Sequence, residues 1–172
     1  MRATELWGAG LLVLALAGCT AKPDPVIIRP PVTPVPVPAV AFDCGQTEVR
    51  FRPPPTDLVA GAGFDRVRSF TRQVEVEGVE FTGAAGEIKI GVVCGVKTAE
   101  HFVTLVLRAR LTAYDGRPAL RWRTEPGQRH FMWLARPGTA VYISAASGLS
   151  DLIAPLAQGV SVGRATPPPP QP

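Results

Sequence analysis

Cysteine, histidine and methionine are scarce in this 172-residue chain, with three, two and two copies, and only three of its eighteen cationic residues are lysine. Each scarcity excludes something. Cys19, Cys44 and Cys94 with His101 and His130 match no zinc-ligand spacing, so no metal is expected. There is no Gly-x-Ser-x-Gly elbow, and Ser144-Ala145-Ala146-Ser147-Gly148 lacks that pattern. No phosphate loop or metal-binding motif is present, so no cofactor is expected either. Acids are plentiful between residues 75 and 100, but Glu75, Glu77 and Glu80 alternate with apolar residues and read as solvated strand positions. The reading is therefore a chain without catalytic residues. A net charge of +4 arises without any recognisable nucleic-acid reader, so nucleic acid is not expected as a partner. No apolar run reaches the ~20 residues needed to span a bilayer as a helix.

What is present begins at the N-terminus. Arg2 supplies a positive head, and residues 6–17 are an uncharged apolar run of signal-peptide length. The run ends in Leu16-Ala17-Gly18-Cys19, which resembles the lipobox of bacterial lipoproteins. The resemblance covers residues 1–20. It implies that residues 1–18 are a cleaved signal peptide and that Cys19 is the lipidation site, carrying three acyl chains; one chain alone holds a protein only marginally. Residue 20 is Thr rather than the Asp that marks inner-membrane retention in Gram-negative lipoproteins. The expected location is thus the cell envelope, at the outer membrane and facing the periplasm, with the membrane as a partner through the anchor.

Residues 19–41 read as the lipidated Cys plus a tether. Seven of residues 20–41 are proline, which fixes φ and removes backbone donors, so neither helix nor sheet interior is expected there. A polyproline-like arm of this length reaches roughly 60–70 Å. Residues 165–172, with four consecutive prolines, read as a disordered tail. A single β-domain is expected over 42–164. An oxidising compartment and two remaining cysteines predict a Cys44–Cys94 disulfide.

Period-two alternation predicts an all-β fold, a small antiparallel barrel or sandwich of about seven to eight strands with one short helix. Strands are expected over 47–52, 73–81 with a bulge or turn at Gly78, 87–94, 101–114, 118–124, 129–135 and 139–145. Residues 160–163 are expected to close the sheet. A short helix capped by Ser150 is expected over 150–158, limited by Pro155. Phe64, Val67 and Phe70 fit either a helical turn or a strand.

Charge is segregated. Residues 101–136 hold seven Arg and two acids. Asp115-Gly116 is a two-residue hairpin signal. It places Tyr114 opposite Arg117, Leu111 opposite Leu120 and Ala109 opposite Trp122. On the other face it places Arg110 opposite Arg121 and Arg108 opposite Arg123. Arg108, Arg110, Arg121 and Arg123 are therefore the candidate anion-binding residues, since directly opposed like charges destabilise a sheet and guanidinium forks suit carboxylate or phosphate. Solvent screening of four splayed side chains is the competing explanation.

Phe42-Asp43-Cys44-Gly45 followed by Thr47-Glu48-Val49-Arg50-Phe51 is similar to the start of the membrane-bound inhibitors of C-type lysozyme. That resemblance implies a lipoprotein with a small β-barrel and a disulfide. The family's Ser-Gly-x-x-Tyr signature is missing, because Phe81-Thr82-Gly83-Ala84-Ala85-Gly86 has neither the Ser nor the Tyr. A basic face also poorly matches a cationic lysozyme. The function expected from the sequence is a membrane-anchored envelope lipoprotein with a non-catalytic β-domain that binds an envelope component or acidic protein surface. The alternative is an envelope hydrolase or a lysozyme-type inhibitor.

Overall fold

The computed structural model describes residues 39–55, 57–124 and 127–165; Cys19, the signal segment, most of the tether and nearly all of the proline-rich tail lie outside them. Alternating sequences dominate the described residues and form ten strands in two antiparallel sheets. The smaller sheet has the order β1-β2-β10, with β1 Val40–Cys44, β2 Thr47–Phe51 and β10 Ser161–Arg164. The larger has the order β3-β4-β5-β9-β8-β7-β6. Its strands are β3 Val59–Phe64, β4 Glu75–Gly83, β5 Gly86–Val96, β6 Arg110–Tyr114, β7 Arg117–Thr124, β8 Gln128–Arg136 and β9 Gly138–Ala145. The sheets stack as a sandwich, and the larger one ends in open edges at β3 and β6 rather than closing into a barrel.

The central strands are buried on both faces, which explains their nearly continuous apolar character. On one face Ile88, Ile90, Val92, Phe131, Trp133, Val141 and Ile143 pack with Phe42, Val49 and Phe51 of the small sheet. On the other, Val76, Val93, Leu120, Trp122, Met132, Ala140 and Tyr142 pack with Val67, Phe102, Leu105 and Val106 from the connections. Cys44 at the end of β1 is bonded to Cys94 of β5, with 5.4 Å between their Cα atoms. This bond staples the small sheet to the middle of the large one. Residues 40 and 41, assigned by composition to the tether, are already in β1 and paired with Phe51 and Arg50.

Several expectations fail for identifiable reasons. Residues 101–114 are not one strand. Ala99–Val103 is a helix, α1, capped by Thr98, whose hydroxyl accepts from the His101 amide at 3.1 Å. Of the buried Phe102, Leu105 and Val106, Phe102 is in α1, whereas Leu105 and Val106 lie in the irregular connection after it, with Val106 bridged to Phe70; the apparent alternation is accidental. Leu107 and Leu111, expected inside, are 77% and 58% exposed. Gly78 makes neither bulge nor turn. It continues β4 opposite Gly91, because a Cβ there would collide with the ring of Phe64. The bulge lies in β3 instead, between Ala60 and Gly63. After β3, residues 65–74 are irregular except for a bridge between Phe70 and Val106, so Phe64 ends a strand and Val67 and Phe70 cover the sheet from a loop. Ser150 is not a cap: a 3-10 helix, Ser147–Leu152, runs directly into a second helix, α2, Ile153–Gln158. Pro155 is tolerated because it is the third residue of α2, where no intrahelical amide partner is lost. The last strand, β10, pairs with β2 and extends the small sheet, not the large one.

Candidate functional site

The hairpin β6–β7 turns at Asp115 and Gly116, both in the left-handed region with φ of 50° and 72°, as the primed two-residue turn requires. The register is Tyr114 opposite Arg117, Leu111 opposite Leu120 and Arg110 opposite Arg121. The ladder stops at Arg110. Ala109 is therefore not paired with Trp122, and Arg108, at φ 59°, is not opposite Arg123. The partner of Arg123 is Arg129 on β8.

Alternation along β7 sends Ala119, Arg121 and Arg123 toward the face covered by the small sheet, and Leu120 and Trp122 toward the other. The small sheet does not extend over this end. Arg110, Arg121, Arg123 and Arg129 instead line a groove of about 590 Å³, walled on its far side by the 3-10 helix and α2. Its floor is apolar. Phe131 stacks on Trp133 at 5.3 Å and takes the edge of Tyr114 at 5.4 Å. The Arg121 guanidinium stands 5.0 Å from the centre of the Phe131 ring, a cation–π placement that holds it over the floor. Ile153, Ala154 and Ala157 complete the apolar wall. Asp151 also lines the groove. Among the described residues, however, the ion pairs within 4.0 Å are Arg50–Glu48, Lys89–Glu80 and Lys89–Glu87, and none involves a groove arginine. Three of the four arginines expected from the sequence thus share one site, Arg108 does not line it, and Arg129 does. Finding Arg129 requires the β7–β8 register, which crosses a connection with no turn dipeptide as diagnostic as Asp-Gly.

The opposite face of the same sheet carries a second polar feature. Lys89, Ser144, His130 and Trp122 lie opposite one another across β5, β9, β8 and β7. His130 is 6% exposed. One ring nitrogen, Nε2, is 2.8 Å from Thr124 Oγ1, and the other, Nδ1, is 2.8 Å from the Tyr142 hydroxyl. Trp122 stacks flat on the imidazole at 4.9 Å, and its indole N–H donates to Ser69 Oγ at 3.0 Å. Burial, helped by the nearby Lys89 charge, pushes the His130 pKa down to about 4, and burial raises that of Tyr142. The Gln128 amide donates to Glu87 Oε1 at 3.0 Å. Sequence reading treated His130 as a residue near the start of a strand and missed this network, whose members are far apart along the chain but level across the strands.

No family model, no curated protein and no solved structure matches this chain.

Proposed function

We propose that this protein is a lipid-anchored envelope lipoprotein, held through Cys19, whose β-domain is a non-catalytic binding module for an anionic envelope component. The observation that carries the reading is the groove in which Arg110, Arg121, Arg123 and Arg129 converge over an apolar floor. Two cross-strand pairs of like charge cost stability. A phosphate or carboxylate seated between them turns that cost into charge-assisted, bidentate hydrogen bonds. The aromatic and aliphatic walls then accept the uncharged part of the same ligand, a division of labour common to ligand grooves.

The non-catalytic part of the reading rests on His130. Its contact with Thr124 pairs a hydroxyl with an imidazole, the geometry of an activated nucleophile. Yet a pKa of about 4 makes it a weak proton acceptor at neutral pH, and its other ring nitrogen meets the Tyr142 hydroxyl rather than a carboxylate that would stabilise the imidazolium.

The test is co-sedimentation of the protein with outer-membrane vesicles and with purified cell-wall sacculi across a salt series. Binding should weaken as salt rises, and the variant with Arg110, Arg121, Arg123 and Arg129 all changed to Gln should lose it. Retention of full binding by that variant rejects the groove as the site.

A further inference from the structure

Between the irregular segment 65–69 and the polar end of the large sheet lies a separate cavity of about 460 Å³, within the range of small-ligand pockets. Its base is fixed by burial rather than by loops. Thr124, His130 and Tyr142 form a continuous hydrogen-bonded chain, and Gln128 is held against Glu87. A neutral imidazole donates from one nitrogen and accepts at the other. Two hydroxyl hydrogens and one ring N–H therefore serve two hydrogen bonds, and one hydroxyl hydrogen is left over. It sits on Thr124 in one tautomer and on Tyr142 in the other. Beside this adaptable donor stand a carboxylate acceptor, Glu87, and an amide carrying both kinds of group, Gln128.

This mixture selects against two ligand classes. Lys89 also lines the base and is paired with Glu87 at 3.4 Å and with Glu80 at 2.9 Å, so a densely charged anion finds no uncompensated positive charge there. A purely apolar chain leaves the polar groups of the base unpartnered. Hydroxyl groups of a sugar donate and accept at once, and match it. The mouth is different. Arg66 and Arg68 line it, and neither is in an ion pair among the described residues. A single negative charge is accommodated there, because the deeper cation, Lys89, is already paired with Glu80 and Glu87.

We infer that this cavity binds one ring of a carboxylate-bearing sugar, with its hydroxyls on Thr124, Gln128 and Glu87 and its acid group on Arg66 and Arg68. The site shares no arginine with the groove; His130, at its base, is the residue that lines both.

The experiment is saturation-transfer NMR on the folded, disulfide-bonded protein with methyl glucuronide and its neutral counterpart, methyl glucoside. Transfer to the glucuronide ring protons is expected. Loss of the charged contacts should weaken binding about tenfold, corresponding to 1.4 kcal/mol, both for the glucoside and for the Arg66→Gln/Arg68→Gln variant with the glucuronide. Arg117→Gln/Arg164→Gln, whose exposed side chains line neither the cavity nor the groove, should bind the glucuronide like the parent. Those arginines are exposed, so the variants should fold, which near-ultraviolet circular dichroism checks. No transfer from the parent to the glucuronide overturns the inference. So does equal transfer to both sugars, full binding by the Arg66/Arg68 variant, or loss of binding in the Arg117/Arg164 variant.

Discussion

Arg123 and Arg129 are directly opposed across β7 and β8, and their mutual repulsion can be measured without knowing any ligand. Their guanidinium groups can splay, so the interaction is that of two unit charges roughly 7 Å apart in water, about 0.6 kcal/mol; this lies inside the span of roughly 0.2–1 kcal/mol for cross-strand pairs. Arg129→Gln should stabilise the fold by that amount, and Arg123→Gln likewise. Each should raise the melting temperature by about 1–2.5 °C in a protein of this size. Because either substitution relieves the same repulsion, the double variant should gain less than the sum of the two, by about 0.6 kcal/mol. The assay is thermal unfolding by circular dichroism at low and high salt. Near 0.01 M the screening length is about 30 Å and the gain should be fully visible; at 1 M it is about 3 Å and the gain should vanish. Arg121 is a poorer choice, since it also rests on Phe131. A loss of stability at low salt, a gain that survives 1 M salt, or strictly additive single effects would refute the reasoning. Substitutions that stabilise the fold while abolishing binding would mark the pair as retained for function.

Two other expectations follow from the core. Replacing Cys44 and Cys94 together by Ser opens a cross-link between residues 50 apart. It should cost about 4 kcal/mol by loop entropy, read as a lower denaturant midpoint that no longer responds to reductant. His130 gives a pH dependence of definite sign. Its pKa in the fold, about 4, is below the unfolded value of about 6.5, so the unfolded chain binds the extra proton first as pH falls. Stability should be full above about 6.5 and decline toward 4, on the order of 3 kcal/mol in all. His130→Gln should flatten that part of the profile, and an unchanged slope would assign the acid sensitivity to other groups.

Legibility in the sequence depended on how local the signal was. The β6–β7 hairpin was readable because Asp115-Gly116 sets both the turn and the register. Strand β5 was readable because Ile88, Ile90, Val92 and Cys94 alternate without interruption, which also turned Cys94 toward Cys44. Strand β3 was not readable, since Val59-Ala60-Gly61-Ala62-Gly63 has too few side chains to show a pattern; its place comes from pairing with β4 and from Phe64 closing over Gly78. Helix α1 was hidden because Val103, Leu105 and Leu107 mimic a strand, although Thr98 carried the N-cap signal. In the groove, Arg110 and Arg121 could be placed together by one turn. Arg129 could not, because its position depends on a second register, and Arg108 was misplaced because the ladder stops at Arg110, two residues short of it. The pocket around His130 was the least legible, because it is assembled from five strands and a loop that meet only in the fold.

The staple between β1 and β5 has a mechanical meaning. Tension entering along the N-terminal arm meets β1 first and tries to peel it from β2. Peeling can proceed only from Val40 to Cys44, five residues, before the force passes through the disulfide into β5. There it is borne by the ladders to β4 and β9 on either side. The small sheet is thus bypassed as a load-bearing element, and the strand that carries the strain is the one flanked most completely by neighbours. A domain held by a leash at this end would yield a few residues of slack and then stop.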